Sequence, residues 1–276
     1  MPLTALILLP PSEGKSPGGV GEPWTPGRSA VPELDEHRQA AAAAVRRAMR
    51  AAEPARRKLL GVKGEALSAA TAANRAVLTG PTMPAIDRYA GVLYDALDAG
   101  SLTARDRRRL HRQVVIFSGL WGASMPADPL PDHKLKMSAS LAPMGKLSTW
   151  WRRPLTDALA PVVERRVVWN LLPIEHDAAW SPPPPGSAAA GAPARVISVR
   201  FLDETTPHRA TARTFTTVNH WTKLLKGALV RHVLATGADE PEALAAFAHP
   251  EGYTYDASLT DEVKDRTIVS LVRSAR

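Results

Sequence analysis

The chain has 276 residues, no cysteine and a formal net charge of +8 at pH 7. This length fits one large domain or two small ones, with enough buried surface to hold a core without staples. Hydrophobic residues at 45% and charged residues at 22% exclude a fully disordered chain, and the lack of cysteine excludes disulfide scaffolds, thiolate zinc sites and cysteine nucleophiles. No apolar run reaches the roughly 18–20 residues of a membrane span, and the start lacks a basic leader, so we expect a cytoplasmic protein without a membrane partner.

The basic charge has two explanations. Lys and Arg number 35 against 27 Asp and Glu, a balance that favours polyanionic partners such as nucleic acid, nucleotides or anionic lipid. An Arg-rich, Ala-rich and Lys-poor composition is also what a GC-rich genome produces in every protein. Charge alone therefore does not identify a partner.

Apolar runs predict buried strands, and Ala- or Arg-rich segments between them predict helices. The predicted strands are 3–9, 114–118, 167–172, 195–202 and 268–272. The predicted helices are 33–52, a second one beginning near Pro54, 104–112, 147–163 with Pro154 as a candidate break, and 222–235, while 85–93 mixes helix and strand signals. We expect a single α/β (mixed α+β) domain over 1–276, with a central sheet flanked by helices. Two Pro-rich segments, the loop 10–32 and the linker 181–194, are expected to be mobile.

The first candidate site follows the first predicted strand. Ser12, Glu13, Gly14 and Lys15 stand at its carboxyl end, where ligands bind in open α/β sheets. A hydroxyl, a backbone amide and an ammonium group can together hold an anion, and Glu13 can act as an acid or base. The segment is not a Walker A loop, and a polar turn leaving the strand is the alternative interpretation.

The second candidate site follows the strand 114–118. Ser118 precedes a Gly-Leu-Trp-Gly turn in which Trp121 offers a stacking face, unless it is a packing aromatic. Lys134 and Lys136 are two residues apart and point the same way if the chain is extended. Asp128 is placed to form an ion pair with one of them.

The third candidate is a helix-hairpin-helix at 60–67. Its apolar-Gly-apolar-x-Gly pattern is typical of a corner in which backbone amides and Lys63 hold a DNA phosphate without reading bases. Arg56 and Arg57 precede it and Arg75 follows it. Any helix corner with two glycines imitates this pattern, and the basic flanks also suit a solvated face.

Metal and hydrolase motifs are missing. Glu175, His176 and Asp177 are adjacent and cannot easily converge on one ion, and no H-x-x-x-H or H-E-x-x-H pair occurs. We therefore expect neither a metal site nor a cofactor. The arginines at 105–112 are expected to form a solvated helix face, and Ser118 does not sit in a G-x-S-x-G elbow.

At these loops the sequence resembles the YaaA family (the UPF0246 or DUF328 group), described as peroxide stress proteins. The resemblance runs in collinear order through 10–15, 118–122, 126–128, 133–137, 151–159, 170–176, 201–204, 223–227 with Arg231, and 251–256. It leaves out 16–33 and 181–194, and it departs from the family pattern at 121, 133, 134, 173 and 176. The resemblance implies a basic cleft, a helix-hairpin-helix, DNA binding and a role in keeping free iron low.

We therefore expect the strand-end loops to converge on one pocket. Lys15 and Lys136 would hold an anionic group, Trp121 would stack on a planar part, and Glu13, Asp128 or Glu175 would transfer protons. The other pocket residues expected from these loops and from the late helix are Ser12, Ser118, Lys134, Asn170, Lys223 and Arg231.

The sequence leaves three candidate functions open, and we expect the protein to be a monomer. The first is non-specific DNA binding, with Arg56, Arg57, Lys63 and Arg75 as contacts. The second is an enzyme acting on a small anionic or nucleotide-like substrate. Iron sequestration ranks last, because no cluster of histidines or carboxylates supports it.

Overall fold

The computed structural model describes residues 5–205, 213–217, 222–249 and 251–274. Residues 3 and 4 of the first predicted strand lie outside this part of the chain. The strands are β1 (Leu6–Leu9), β2 (Gly14–Lys15), β3 (Thr82–Pro84), β4 (Tyr89–Ala90), β5 (Val114–Ser118), β6 (Gly122–Ser124), β7 (Pro129–Pro131), β8 (Ser140–Leu141), β9 (Gly145–Lys146), β10 (Val167–Asn170), β11 (Arg195–Glu204), β12 (Phe215–Thr217), β13 (Tyr253–Tyr255), β14 (Asp261–Val263) and β15 (Arg266–Arg273).

Helices cover the segments between the strands. They are α1 (Asp35–Ala48), α2 (Glu53–Leu60), α3 (Gly64–Arg75), α4 (Ala85–Arg88), α5 (Val92–Leu97), α6 (Ala104–Gln113), α7 (Leu147–Trp150), α8 (Arg152–Val163), α9 (Ile174–Asp177) and α10 (Thr222–Thr236). Short 3-10 turns lie at Pro32–Leu34, Ala99–Ser101, Pro241–Ala246 and Ala257–Leu259. Among the described residues, none of these helices has the length and apolar character needed to cross a bilayer.

A nine-stranded sheet forms the centre of the molecule, which confirms the predicted mixed α/β class. Its five central strands are parallel and lie in the order β15-β11-β10-β1-β5. The remaining strands β6, β12, β13 and β14 add antiparallel pairs at its margins. Every residue of β1 and β5 is buried, as expected for strands covered on both faces.

The chain order reverses direction at β1. From β1 the chain crosses to β5 on one side, and the later strands β10, β11 and β15 follow on the other side. Loops that leave β1 and β10 therefore diverge at the same edge and open a crevice between them, which is where open α/β sheets bind ligands. The site described below lies there.

The structure corrects one predicted helix break and assigns one segment that the sequence left ambiguous. The predicted break at Pro154 is wrong: the break comes at Trp151, between α7 and α8. Pro154 is the third residue of α8, where the N–H group that proline lacks would have no helical partner. The ambiguous segment 85–93 contains α4, β4 and the start of α5 in succession, so each of its mixed signals has a local source.

Candidate functional site

A cavity of about 910 Å³ opens at the carboxyl ends of β1 and β10. Loop 10–15, the segment 133–138 and the first turns of α5, α9 and α10 enclose it. Among the described residues, five lysines line it but only two glutamates do, so this part of the lining carries three more cations than carboxylates. The charged and imidazole side chains in its lining are Glu13, Lys15, His133, Lys134, Lys136, Glu175, His176, Lys223 and Lys226.

The loop after β1 holds Lys15 at the cavity wall. β2 pairs with β4 so that Gly14 lies opposite Ala90, and a Cβ on Gly14 would come within 3.0 Å of the Ala90 carbonyl oxygen. Lys15 Nζ donates to the Ser12 carbonyl oxygen at 3.2 Å and lies 5.5 Å from the Tyr89 ring centroid. Burial lowers the pKa of Lys15 to about 8, because a desolvated ammonium without a carboxylate partner is costly.

Glu13 reaches across the cavity to two lysines from another loop. Its carboxylate lies 3.3 Å from Lys134 Nζ and 3.0 Å from Lys136 Nζ, and the hydrogen bond from Lys136 is the main reason that the pKa of Glu13 is lowered. Asn74 of α3 holds the Lys134 backbone with two hydrogen bonds, at 2.9 Å and 2.8 Å. The cavity wall is therefore fixed by α3 on its outer side.

The β10 end supplies the opposite group of side chains. Lys226 of α10 donates to the Leu171 carbonyl oxygen at 2.7 Å, and burial lowers its pKa to about 8. His176 is 7% exposed, and burial lowers its pKa to about 4, so its imidazole is neutral at physiological pH. α10 is seated against α5 at Gly227, whose Cα leaves no room for a Cβ beside the Leu93 carbonyl.

Most of the pocket residues expected from the sequence line this cavity. They are Ser12, Glu13, Lys15, Ser118, Lys134, Lys136, Glu175 and Lys223. Ser118 is buried, and its hydroxyl accepts hydrogen bonds from the Leu120 and Trp121 amides at 3.3 Å each. This hydroxyl therefore also shapes the turn after β5.

Two residues of the second candidate site turn into the core instead. Trp121 is fully buried, lies 5.1 Å from the Trp24 ring centroid and donates to His133 Nδ1 at 3.3 Å, so it offers no stacking face to the cavity. Asp128 is 4% exposed and accepts hydrogen bonds from the Ala30 and Met125 amides, both at 2.8 Å. It fastens two loops and forms no ion pair with Lys134 or Lys136; burial raises its pKa.

Asn170 and Arg231 support the fold behind the cavity. Asn170 Nδ2 donates to Asp177 Oδ1 at 2.7 Å, and Arg266 binds the same carboxylate with two bonds of 2.9 Å. These contacts anchor α9, which carries Glu175. Arg231 donates to the Leu97 and Asp98 carbonyl oxygens at 3.1 Å and 3.0 Å, at the end of α5.

The third candidate site is a corner between α2 and α3. The three residues 61–63 join the helices, and Gly61 ends α2 with φ of +66°, a conformation that favours glycine. Arg57 and Lys63 are exposed beside a second depression at this corner. Arg56 donates to Thr71 Oγ1 at 3.1 Å and Arg75 to the Met49 carbonyl at 2.9 Å, so these two arginines tie helices together.

Lys136 connects the corner to the cavity. Its Nζ bonds to Glu13 inside the cavity, and a Cβ built on Gly61 would lie 3.6 Å from the same Nζ. The two basic regions are thus adjacent parts of one surface.

Three of the charged and imidazole side chains in the lining, His133, His176 and Lys226, were not among the expected site residues. Lys226 lies three positions after Lys223 on α10, so the helical period places both on one side; that spacing was the available signal. His176 had been considered only as a metal ligand. In the described ranges, no group of three or more His, Asp or Glu side chains is arranged to hold a metal ion.

Comparison with known proteins places these features in a family. Residues 5–259 match the family model described as peroxide stress protein YaaA. A UPF0246 protein of Streptomyces coelicolor is 36% identical over 254 residues, covering 91% of this chain and 92% of the relative. A UPF0246 protein of Cereibacter sphaeroides is 31% identical over 231 residues, covering 82% and 81%, and one of Corynebacterium glutamicum is 40% identical over 161 residues, covering 57% and 62%.

Proposed function

Because the chain belongs to the YaaA family of peroxide stress proteins, we propose that it acts in peroxide stress by binding DNA without sequence preference. The observation that carries this proposal is the position of Lys136 between the cavity and the α2–α3 corner. One continuous surface then offers Arg57, Lys63 and the cavity lysines to a phosphate backbone. Lysine and arginine contacts to phosphates supply most of non-specific DNA affinity.

The corner suits phosphate contact for a structural reason. The first amides of α3 have no partner within the helix, so they present donors and a positive dipole end to an anion. Arg57 and Lys63 flank that end and are exposed. Arg56 and Arg75, which were expected to touch DNA, are engaged with α3 and Met49, so we assign them to holding the corner in shape.

The test is fluorescence anisotropy of a labelled 20-base-pair duplex across a salt series. With about six phosphates neutralised, the logarithm of the binding constant should fall with the logarithm of salt concentration at a slope near −5. The double variant Arg57→Ala, Lys63→Ala should weaken binding and reduce the slope by about 2. Arg105→Ala, Arg108→Ala on α6 is the matched control, because it removes the same charge from exposed positions outside both basic regions.

Equal loss of affinity in the two double variants would show that net charge, and not this surface, drives binding. A slope near zero, or no binding at low salt, would refute the proposal itself. Because the proposed contacts are to the phosphate backbone, two duplexes of unrelated base sequence should give the same binding constants.

Enzymatic chemistry on a nucleotide-like substrate is the second candidate. It is favoured by a cavity of about 910 Å³, which is large for a surface groove and within the range of ligand pockets. Lys15 and Lys226, with pKa values near 8, would hold the anionic group, and Glu13 or Glu175 would move the proton. Under this candidate Lys15→Ala abolishes turnover of the substrate while DNA affinity is retained.

A further inference from the structure

Two exposed apolar side chains lie in or directly beside the lining of the cavity. Val92 lines it and is 50% exposed, and Ile174, at 87% exposed, lies between Pro173 and Glu175, which both line it. Only two other large hydrophobic side chains in the described part of the chain, Val20 and Val263, are comparably exposed. Single exposed apolar side chains are common, but two of these four lie in or beside the lining of one cavity.

Ile174 is presented by a braced turn. It is the first residue of α9, and the Asp177 carboxylate at the other end of α9 is held by Asn170 and by two bonds from Arg266. These contacts join α9 to β10 and β15 of the central sheet. A side chain that must push between stacked bases needs this support, because a flexible loop would yield instead.

The cavity beside Ile174 has the size and lining for one nucleotide. Its volume of about 910 Å³ lies at the upper end of the usual range for small-ligand sites. Pro10, Pro11 and Leu93 supply apolar surface for a flat base, and Lys15 and Lys226 supply donors for its carbonyl oxygens or its phosphate. A base within a duplex cannot reach such a site unless it leaves the stack.

We infer that the cavity receives one nucleotide extruded from DNA and that Ile174 fills the space it leaves in the base stack. This inference rests on the proposed function, since the surface at Lys136 and the α2–α3 corner must hold the flanking backbone. Apolar wedges of this kind unstack base steps in other DNA complexes. Extrusion costs least where the base is mismatched, so the chain should prefer duplexes with a mispaired site.

The experiment uses two 20-base-pair duplexes that carry 2-aminopurine at the centre, opposite thymine in one and opposite cytosine in the other. Stacking quenches 2-aminopurine, so extrusion raises its fluorescence. With wild-type protein we expect an increase of about threefold or more in the mismatched duplex, and binding of that duplex about fivefold tighter than of the paired one by anisotropy.

Variants separate the wedge from the cavity and from general binding. Ile174→Ala should at least halve the fluorescence increase while the affinity for the paired duplex changes less than about twofold. Val20→Ala, which truncates an exposed apolar side chain outside the cavity lining, should behave as wild type. Lys226→Met should reduce the preference for the mismatched duplex, and Arg57→Ala, Lys63→Ala should weaken both duplexes equally.

The outcomes distinguish this inference from the proposed function. Binding of both duplexes with equal affinity and unchanged 2-aminopurine fluorescence would overturn the extrusion inference and leave DNA binding in place. A fluorescence increase that Ile174→Ala does not reduce would refute the role of Ile174 as the side chain that fills the base stack. Failure to bind either duplex at low salt would refute both.

Discussion

Replacing Lys226 by methionine should make the protein more stable while it damages the site. Burial lowers the pKa of Lys226 from 10.5 to about 8, which corresponds to a cost of about 3 kcal/mol for the charged form at neutral pH. Lys226→Met removes that cost and retains the length of the side chain. It also removes the hydrogen bond to the Leu171 carbonyl, worth about 1 kcal/mol. We expect the free energy of unfolding to rise by about 1–2 kcal/mol at pH 7.

The pH dependence gives an independent check on the same group. Between pH 8 and 10.5 the unfolded chain binds a proton at Lys226 that the folded chain has released, so stability rises with pH in this window. From pH 7 to pH 9 the gain is about 1.3 kcal/mol for each such lysine, and Lys15 contributes equally because its pKa is also about 8. Lys226→Met should lose about half of the total rise.

Urea denaturation at pH 7, 8 and 9, followed by tryptophan fluorescence, measures both effects. Lys146→Met is the control, since Lys146 is exposed and lies outside the cavity lining; it should change neither stability nor slope. If Lys226→Met is less stable than wild type at pH 7 and keeps the full rise in stability to pH 9, the Lys226 ammonium is not buried at a cost to the folded state.

Three further substitutions test other parts of the site. Gly227→Ala should cost about 2–3 kcal/mol in urea denaturation, because its Cβ would collide with the Leu93 carbonyl. Gly100→Ala should change stability by less than about 0.5 kcal/mol, because its Cβ would meet Asp98 Oδ1 at an ordinary contact distance of 3.9 Å; similar values would contradict the α5–α10 packing. Glu13→Gln should strengthen duplex binding a few-fold by releasing Lys134 and Lys136, with little change in stability because the Glu13 carboxylate is exposed in both ion pairs. Glu242→Gln, an exposed change outside the cavity, should leave duplex binding unchanged, and equal affinities of the two variants would exclude these lysines from DNA contact. Asp128→Ala should lower the free energy of unfolding by about 3 kcal/mol, because it leaves the Ala30 and Met125 amides without their acceptor. Duplex affinity should not change. A loss of duplex binding at unaltered stability would show that Asp128 belongs to the binding site.

The central sheet was predictable because its signals are local. The run 114–118 coincides with β5, and the run 167–172 contains β10. A short uninterrupted run of β-branched and aromatic residues is most stable as a strand buried within a sheet. The paired segments β2–β4, β3–β7 and β8–β9 were not predicted. Each strand in them has two or three residues, which is too few to show a period. β2–β4 and β3–β7 also form only because a segment distant in sequence lies alongside.

The location of the site was predictable from the sequence, but not every side chain that lines it. The wrongly placed side chains share one cause. The carboxyl ends of parallel strands meet at one edge, so Lys15 and Glu175 were placed together by topology alone. Which way a side chain turns depends on partners far along the chain. Asp128 binds an amide 98 residues away, and Trp121 meets Trp24 in the core. A polar or aromatic residue beside a strand end therefore has two competing destinations, and sequence spacing does not choose between them.

The same competition explains why the lysines predicted at the pocket were placed correctly, whereas Asp128 and Trp121 were not. Burying an ammonium without a carboxylate is too costly for a structural role, so a lysine at a strand end either stays in water or borders a cavity that an anion can enter. Asp and Trp have inexpensive buried alternatives, in backbone amides and in the core. The lysines expected at the pocket all line the cavity, and Lys226 joins them because it lies three residues after Lys223 on α10 and shares its side of the helix.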